Sequence, residues 1–127
     1  MNINYLKMAK MPTVDDWSGV LEALRRGDFF STTGEIVLKS FSISRAGVAF
    51  EVETTFPLAF AEVIWGDAKG IHRERIDTSE TIEFGMISIK HLVPALKNAN
   101  WARLEVWDIA RNGAFTQPMI PAEAQRP

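Results

Sequence analysis

The chain has 127 residues, 14 basic against 16 acidic, for a formal net charge of -2, which suits one domain with an ordinary solvated surface. Such a balance sets up no field to gather nucleic acid or anionic lipid, and no apolar run is long enough to span a bilayer, so neither nucleic acid nor a membrane is expected as a partner. The absence of cysteine excludes a disulfide framework and a thiolate zinc site.

Residues 1–12 mix Tyr5, Leu6, Met8 and Met11 with Lys7 and Lys10. This is apolar for a free terminus, and the segment reads either as the cut end of a preceding domain or as a lead-in lying on the helix that follows. The helix is expected over 13–27. Thr13 and Asp16 have the spacing of a capping box, and Trp17, Val20, Leu21 and Leu24 recur as one buried face. Arg25 and Arg26 suit the carboxyl end of the dipole, and Gly27 supplies the left-handed stop.

The remainder to residue 121 reads as strands and turns. Asp28-Phe29-Phe30 leads through Ser31-Thr32-Thr33-Gly34 into an aliphatic run. There Ile36, Val37, Leu38, Phe41 and Ile43 hold no single parity, which predicts a bulge or a two-sided strand. Ala46-Gly47 turns the chain into the half-buried alternation Val48, Phe50, Val52, with Glu51 and Glu53 toward solvent. After the break at Phe56-Pro57, Leu58 to Trp65 is apolar on both faces. Ala61, Val63 and Trp65 share one face, and Phe60, Glu62 and Ile64 share the other. Gly66 to Gly70 predicts a hairpin, and the charged run His72-Arg73-Glu74-Arg75 predicts an edge strand. Ile82, Phe84 and Met86 suggest one face of a further strand and Ile87 and Ile89 the other, with Gly85 as a candidate bulge. His91 to Asn100 is expected to be a loop with a short helix begun by Pro94. Trp101 to Asp108 alternates a core face (Ala102, Leu104, Val106) with a face of two tryptophans flanking Arg103 and Glu105. Asn112-Gly113 then signals a tight hairpin into a closing strand from Ala114 to Ile120, and 122–127 is a polar tail. The expected fold is mainly β, a two-sheet antiparallel sandwich of immunoglobulin-like or jelly-roll-like type with one N-terminal amphipathic helix.

Catalytic signals are weak. The two histidines, His72 and His91, lack metal-ligand spacing, no Gly-x-Ser-x-Gly elbow occurs, and Ser31-Thr32-Thr33-Gly34 reads as a turn into a strand rather than a phosphate loop. No catalytic or metal-ligating residue is assigned. A histidine-carboxylate site would need the fold to unite His72 and His91. Tryptophans beside acids on a sheet can stack sugars or peptides, so Trp65, Asp67, Trp101 and Trp107 are candidate ligand-stacking residues of a carbohydrate- or peptide-binding module.

Four stretches, taken together, resemble a known family. Trp17-x-x-Val20-Leu21-x-Ala23-Leu24-Arg25-x-Gly27-Asp28-Phe29-Phe30-x-Thr32-Thr33-Gly34-Glu35 looks like the segment after the last metal-ligand motif of the PHP-type metal-dependent hydrolases, named for polymerase and histidinol phosphatase. Phe56-Pro57-Leu58-x-Phe60-Ala61-Glu62-Val63-x-Trp65-Gly66-Asp67, the later Phe84-Gly85, and Trp101-x-Arg103-x-Glu105-Val106-Trp107-Asp108 through Asn112 to Pro118 resemble the rest of that family's C-terminal β-sandwich. The resemblance implies a non-catalytic accessory domain that packs on an N-terminal barrel of the same polypeptide, where His and Asp residues hold divalent metal. The family's His-x-His and Asp-x-His motifs do not occur here, so this chain would bind no cofactor of its own. Its implied interface is Trp17, Leu21, Leu24, Thr32, Thr33, Gly34 and Glu35, and an exposed helix side could also drive dimerisation of the isolated domain.

Overall fold

The computed structural model describes residues 2–78 and 85–123. Its strands are β1 (Ile3–Leu6), β2 (Phe29–Thr32), β3 (Ile36–Ile43), β4 (Gly47–Thr54), β5 (Leu58–Asp67), β6 (Gly70–Ile76), β7 (Gly85–Leu92), β8 (Trp101–Asp108) and β9 (Gly113–Thr116), and a helix, α1 (Ser18–Arg26), lies between β1 and β2. Six strands form one sheet in the order β1-β2-β9-β8-β5-β6, and β3-β4-β7 form a second. All pairings within the two sheets are antiparallel. The expected mainly β, two-sheet sandwich is what the chain adopts.

The sheets close on a single apolar core. Ala61, Val63 and Trp65 of β5, Ala102, Leu104 and Val106 of β8, and Ala114 of β9 meet Ile36, Leu38, Val48, Phe50 and Val52 of the smaller sheet. Of the two causes expected for the mixed parity of β3, a bulge or a two-sided strand, the bulge is the one present. The register of β3 against β4 slips between Leu38 and Ser40, so Ile36 and Leu38 before the slip and Phe41 and Ile43 after it all turn to the core. Gly85 makes no bulge, because β4 and β7 stay in register from Gly47↔Leu92 to Thr54↔Gly85. The proposed face of Ile82 and Phe84 lies outside the described residues.

Two strands appear where one was expected. The run from Phe29 is cut at Thr33–Glu35, which carries the chain from the large sheet to the small one. Gly34 (φ 117) allows the bend, and fully buried Thr32 holds it by donating its hydroxyl to the Ile36 carbonyl at 2.5 Å while accepting the Gly34 N–H at 3.0 Å.

The helix is shorter than predicted and starts differently. Trp17 is its N-cap and makes no side-chain cap, and Thr13 and Asp16 form an isolated bridge before it. Asp16 accepts the Ser18 N–H (3.0 Å) and hydroxyl (2.6 Å), so this carboxylate serves the entry turn and the capping box does not form. The Ser18 hydroxyl first, then its N–H, holds the Asp16 pKa below the ordinary carboxylate value. The stop is as expected: Gly27 is left-handed (φ 77), and Arg25 and Arg26 occupy the last turn. Within the lead-in, Ile3–Leu6 add β1 to the large sheet as its edge, and Met8 then lies against the helix at Gly19.

The β5–β6 hairpin and the edge position of β6 follow the prediction, and a 3-10 turn spans Pro94–Asn98. The Asn112-Gly113 signal is realised in another way. The loop between β8 and β9 runs from Ile109 to Asn112, its left-handed residue is Arg111 (φ 67), and Gly113 already belongs to β9. Buried Asp108 organises the loop by accepting the N–H groups of Ala110 (2.8 Å) and Asn112 (2.9 Å) and the Asn112 side-chain amide (2.9 Å). The closing strand ends at Thr116, after which Met119 makes an isolated bridge to Ala102.

Candidate functional site

Two surfaces combine features that folding alone does not require. The first is the apolar side of α1. A helix with a strong 3.6-residue stripe normally hides it, but here Ala23 is the buried helical residue while Trp17, Leu21 and Leu24 are 59%, 50% and 42% exposed. The expectation of a buried helix face is therefore corrected. Only β1 among the described strands makes a substantial contact with the helix, so little of the sandwich is available to cover it. Val14 and Met11, more than four-fifths exposed, extend the same apolar character toward the N-terminus. Arg26 and Glu22 form an ion pair on the helix, a charged element beside the stripe.

The implied interface is only partly of this kind. Thr32 is fully buried and its hydroxyl is committed to the turn, so it cannot face a partner. Thr33, Gly34 and Glu35 are exposed. Thr33 also ties the turn to the β8–β9 loop, its N–H donating to the Gly113 carbonyl (2.9 Å) and its hydroxyl accepting the Gly113 N–H (3.1 Å). These residues of the Thr-Thr-Gly motif have a local structural task.

The second surface is the outer face of the six-stranded sheet. Register places Trp101, Arg103, Glu105 and Trp107 of β8 beside Gly66, Ile64, Glu62 and Phe60 of β5, with Phe115 and Gly113 of β9 flanking Glu105 and Trp107. Each tryptophan thus faces a glycine across the strands. A Cβ added to Gly66 would sit 2.6 Å from Cε2 of Trp101, and one added to Gly113 would sit 2.5 Å from Cζ3 of Trp107. Both rings lie over bare backbone, which is why glycine occupies both positions. Between them Arg103 donates to Glu105 at 2.9 Å. On the other side of β5, buried Glu62 accepts from Arg73 (3.3 Å) and Arg75 (3.4 Å), and the Arg75 guanidinium stands 4.4 Å over the Phe60 ring.

The four residues singled out for stacking are divided between opposite faces. Trp101 and Trp107 are half-buried on the outer face. Trp65, 5% exposed, belongs to the core and stacks on His72 (5.4 Å between centroids), which removes it from any surface platform. Its indole N–H has no partner among the described residues. Asp67 follows the Trp65 parity to the hairpin, where it lies 2.9 Å from His72 Nε2 and accepts the Lys69 N–H at 2.8 Å. The His72 bond, chiefly, and the Lys69 N–H hold the Asp67 pKa below its ordinary value. Phe60, Glu62, Arg73, Arg75 and Phe115 join the outer face only through strand pairing. The shared parity of Phe60, Glu62 and Ile64 was legible, but which strands flank β5 was not.

The histidines are held in separate pairs. His91 Nε2 lies 2.8 Å from Glu74 Oε1 and links β7 of the small sheet to β6 of the large one, while His72 pairs with Asp67. Among the described residues no three His, Cys, Asp or Glu side chains converge as metal ligands. A groove of about 560 Å³ lies between β1 and β2 of the large sheet and β3 of the small one, and Tyr5, Phe30, Phe41 and Met119 are among its walls. Tyr5 stacks on Phe30 at 5.2 Å, and Phe30 meets Phe41 edge-on at 6.4 Å, so aromatic packing continues the core to this open side. No helix of the described residues is long and apolar enough to cross a membrane.

No protein-family model matches the chain, and no curated protein or solved structure matches it either.

Proposed function

We propose that this chain is a non-catalytic accessory domain of a PHP-like metal-dependent hydrolase, packing on a metal-binding catalytic domain through the apolar side of α1. The observation that supports this most is the exposed stripe of Trp17, Leu21 and Leu24 on a helix otherwise built to hide it. Leaving such surface in water forgoes roughly 25 cal/mol per Å². A contiguous apolar patch rimmed by charge is characteristic of an interface. The arrangement of motifs from Trp17 to Pro118 supplies the identity of the partner in this reading, through its resemblance to the C-terminal sandwich of that family. The divalent metal and the hydrolytic chemistry belong to the partner's His and Asp residues, and this chain contributes a rigid sandwich and the docking helix.

The test is co-expression with a PHP-type catalytic domain from the same genome, read by analytical ultracentrifugation. A 1:1 complex is expected, and the paired substitutions Leu21→Lys and Leu24→Lys should abolish it. A chain that stays apart from every such domain, or a complex indifferent to those substitutions, contradicts the reading. So does phosphoester hydrolysis by the purified chain alone with a divalent metal.

A further inference from the structure

We propose that the outer face of the six-stranded sheet is a binding site for a linear acidic oligosaccharide, with Trp101 and Trp107 as stacking rings and Arg73, Arg75 and Arg103 as readers of uronate carboxylates. The site is separate from the docking helix and does not rest on that reading.

The spacing of the rings comes from the strand. Trp101 and Trp107 are six residues apart on one face of β8, about 20 Å at strand rise. Engaging both at once takes a chain of several sugar rings. Gly66 and Gly113 beneath them let each indole lie against the sheet, so ring position is set before any ligand arrives. Phe60 and Phe115 add aromatic surface beside Trp107 and Glu105.

The polar groups between the rings and on neighbouring β6 decide the ligand class. Three arginines stand against two carboxylates, an excess of one positive charge on a chain whose net charge is -2. The Arg73 and Arg75 side chains are 60% and 69% exposed, and both lean on the single Glu62 at 3.3 and 3.4 Å, so each guanidinium keeps donors for an incoming carboxylate. A protein interface would place its aromatics in a core depleted of charge. Here one charged pair, Arg103–Glu105, lies between the two rings along β8, with Arg73 and Arg75 beside it on β6, matching a pyranose chain that presents apolar faces and a polar, carboxylate-bearing rim.

The experiment is an NMR titration of the four tryptophan indole N–H signals with hexagalacturonate, hexamannuronate and, as the neutral comparison, cellohexaose. An acidic hexamer should shift the Trp101 and Trp107 signals while those of Trp17 and Trp65 stay still, and added salt should weaken binding. Arg73→Gln, at an exposed position, and Trp101→Phe should each weaken it about tenfold. The titration of the unaltered chain needs no variant to fold. The proposal is overturned if no acidic hexamer moves those two signals, if cellohexaose binds as tightly, if Trp17 responds in their place, or if Arg73→Gln has no effect.

Discussion

Placing a methyl group under either tryptophan tests the geometry of the outer face most sharply. In Gly66→Ala the new Cβ would fall 2.6 Å from Trp101 Cε2, and in Gly113→Ala it would fall 2.5 Å from Trp107 Cζ3, well inside contact distance. The indole must then leave its seat or the strands must part, an overpacking cost of roughly 1–3 kcal/mol. Alanine returns about 0.5–1 kcal/mol over glycine in a strand, so the net loss should centre on about 1.3 kcal/mol and reach at most about 2.5 kcal/mol. A chain of 127 residues unfolds with an entropy of roughly 0.27 kcal/mol/K, which makes this a fall in Tm of about 5 °C, and at most about 9 °C. Differential scanning calorimetry reads it directly. Pairing each substitution with removal of its tryptophan isolates the cause: in the Trp101→Ala background, Gly66→Ala should cost nothing or stabilise slightly. If Gly66→Ala and Gly113→Ala both raise Tm in the unaltered background, the rings do not lie over those glycines.

Other outcomes follow from the same structure. Asp108→Ala removes the shared acceptor of three donors in a part-buried loop and should lower stability by about 1–2 kcal/mol, seen as a fall in the urea midpoint with an unchanged slope. Leu21→Lys with Leu24→Lys alters only exposed positions of α1, so the Tm of the isolated chain should move by no more than about 2 °C. Any concentration-dependent self-association through the helix side should vanish in that variant, as sedimentation velocity would show. The lowered Asp67 pKa gives stability that is fully present above the ordinary carboxylate value and is lost as pH falls through the folded value. Asp67→Asn should therefore flatten part of the decline in Tm below about pH 4; identical acid limbs in the two proteins would refute the assignment.

Local rules reached as far as side-chain parity. Alternation in β8 identified Ala102, Leu104 and Val106 as core, and the broken parity of β3 narrowed it to a bulge or a two-sided strand, because both depend only on which way successive residues point. Gly27 ended the helix as its left-handed conformation requires. The failures lie where distant segments meet. Thr13 and Asp16 have capping-box spacing, but the Ser18 hydroxyl and N–H compete successfully for the carboxylate. Gly113 looked like a turn residue, and its reason is a tryptophan ring across the strand pair. Trp65 and Trp101 looked alike in sequence, and strand register sends one to the core and the other to the outer face. The apolar stripe of α1 is legible from periodicity, but its exposure was expected only from the family resemblance, since periodicity specifies a face without specifying what covers it.

The proposal that α1 is a docking element is tested most directly by hydroxyl-radical footprinting of Trp17, Leu21 and Leu24 in the purified chain and in its complex with a PHP-type catalytic domain. Heavy labelling of all three in the free chain, and strong protection of all three in the complex with Trp101 and Trp107 unchanged, is the predicted result. Equal labelling of the helix in both states, or a helix already protected in the free monomer, would contradict it.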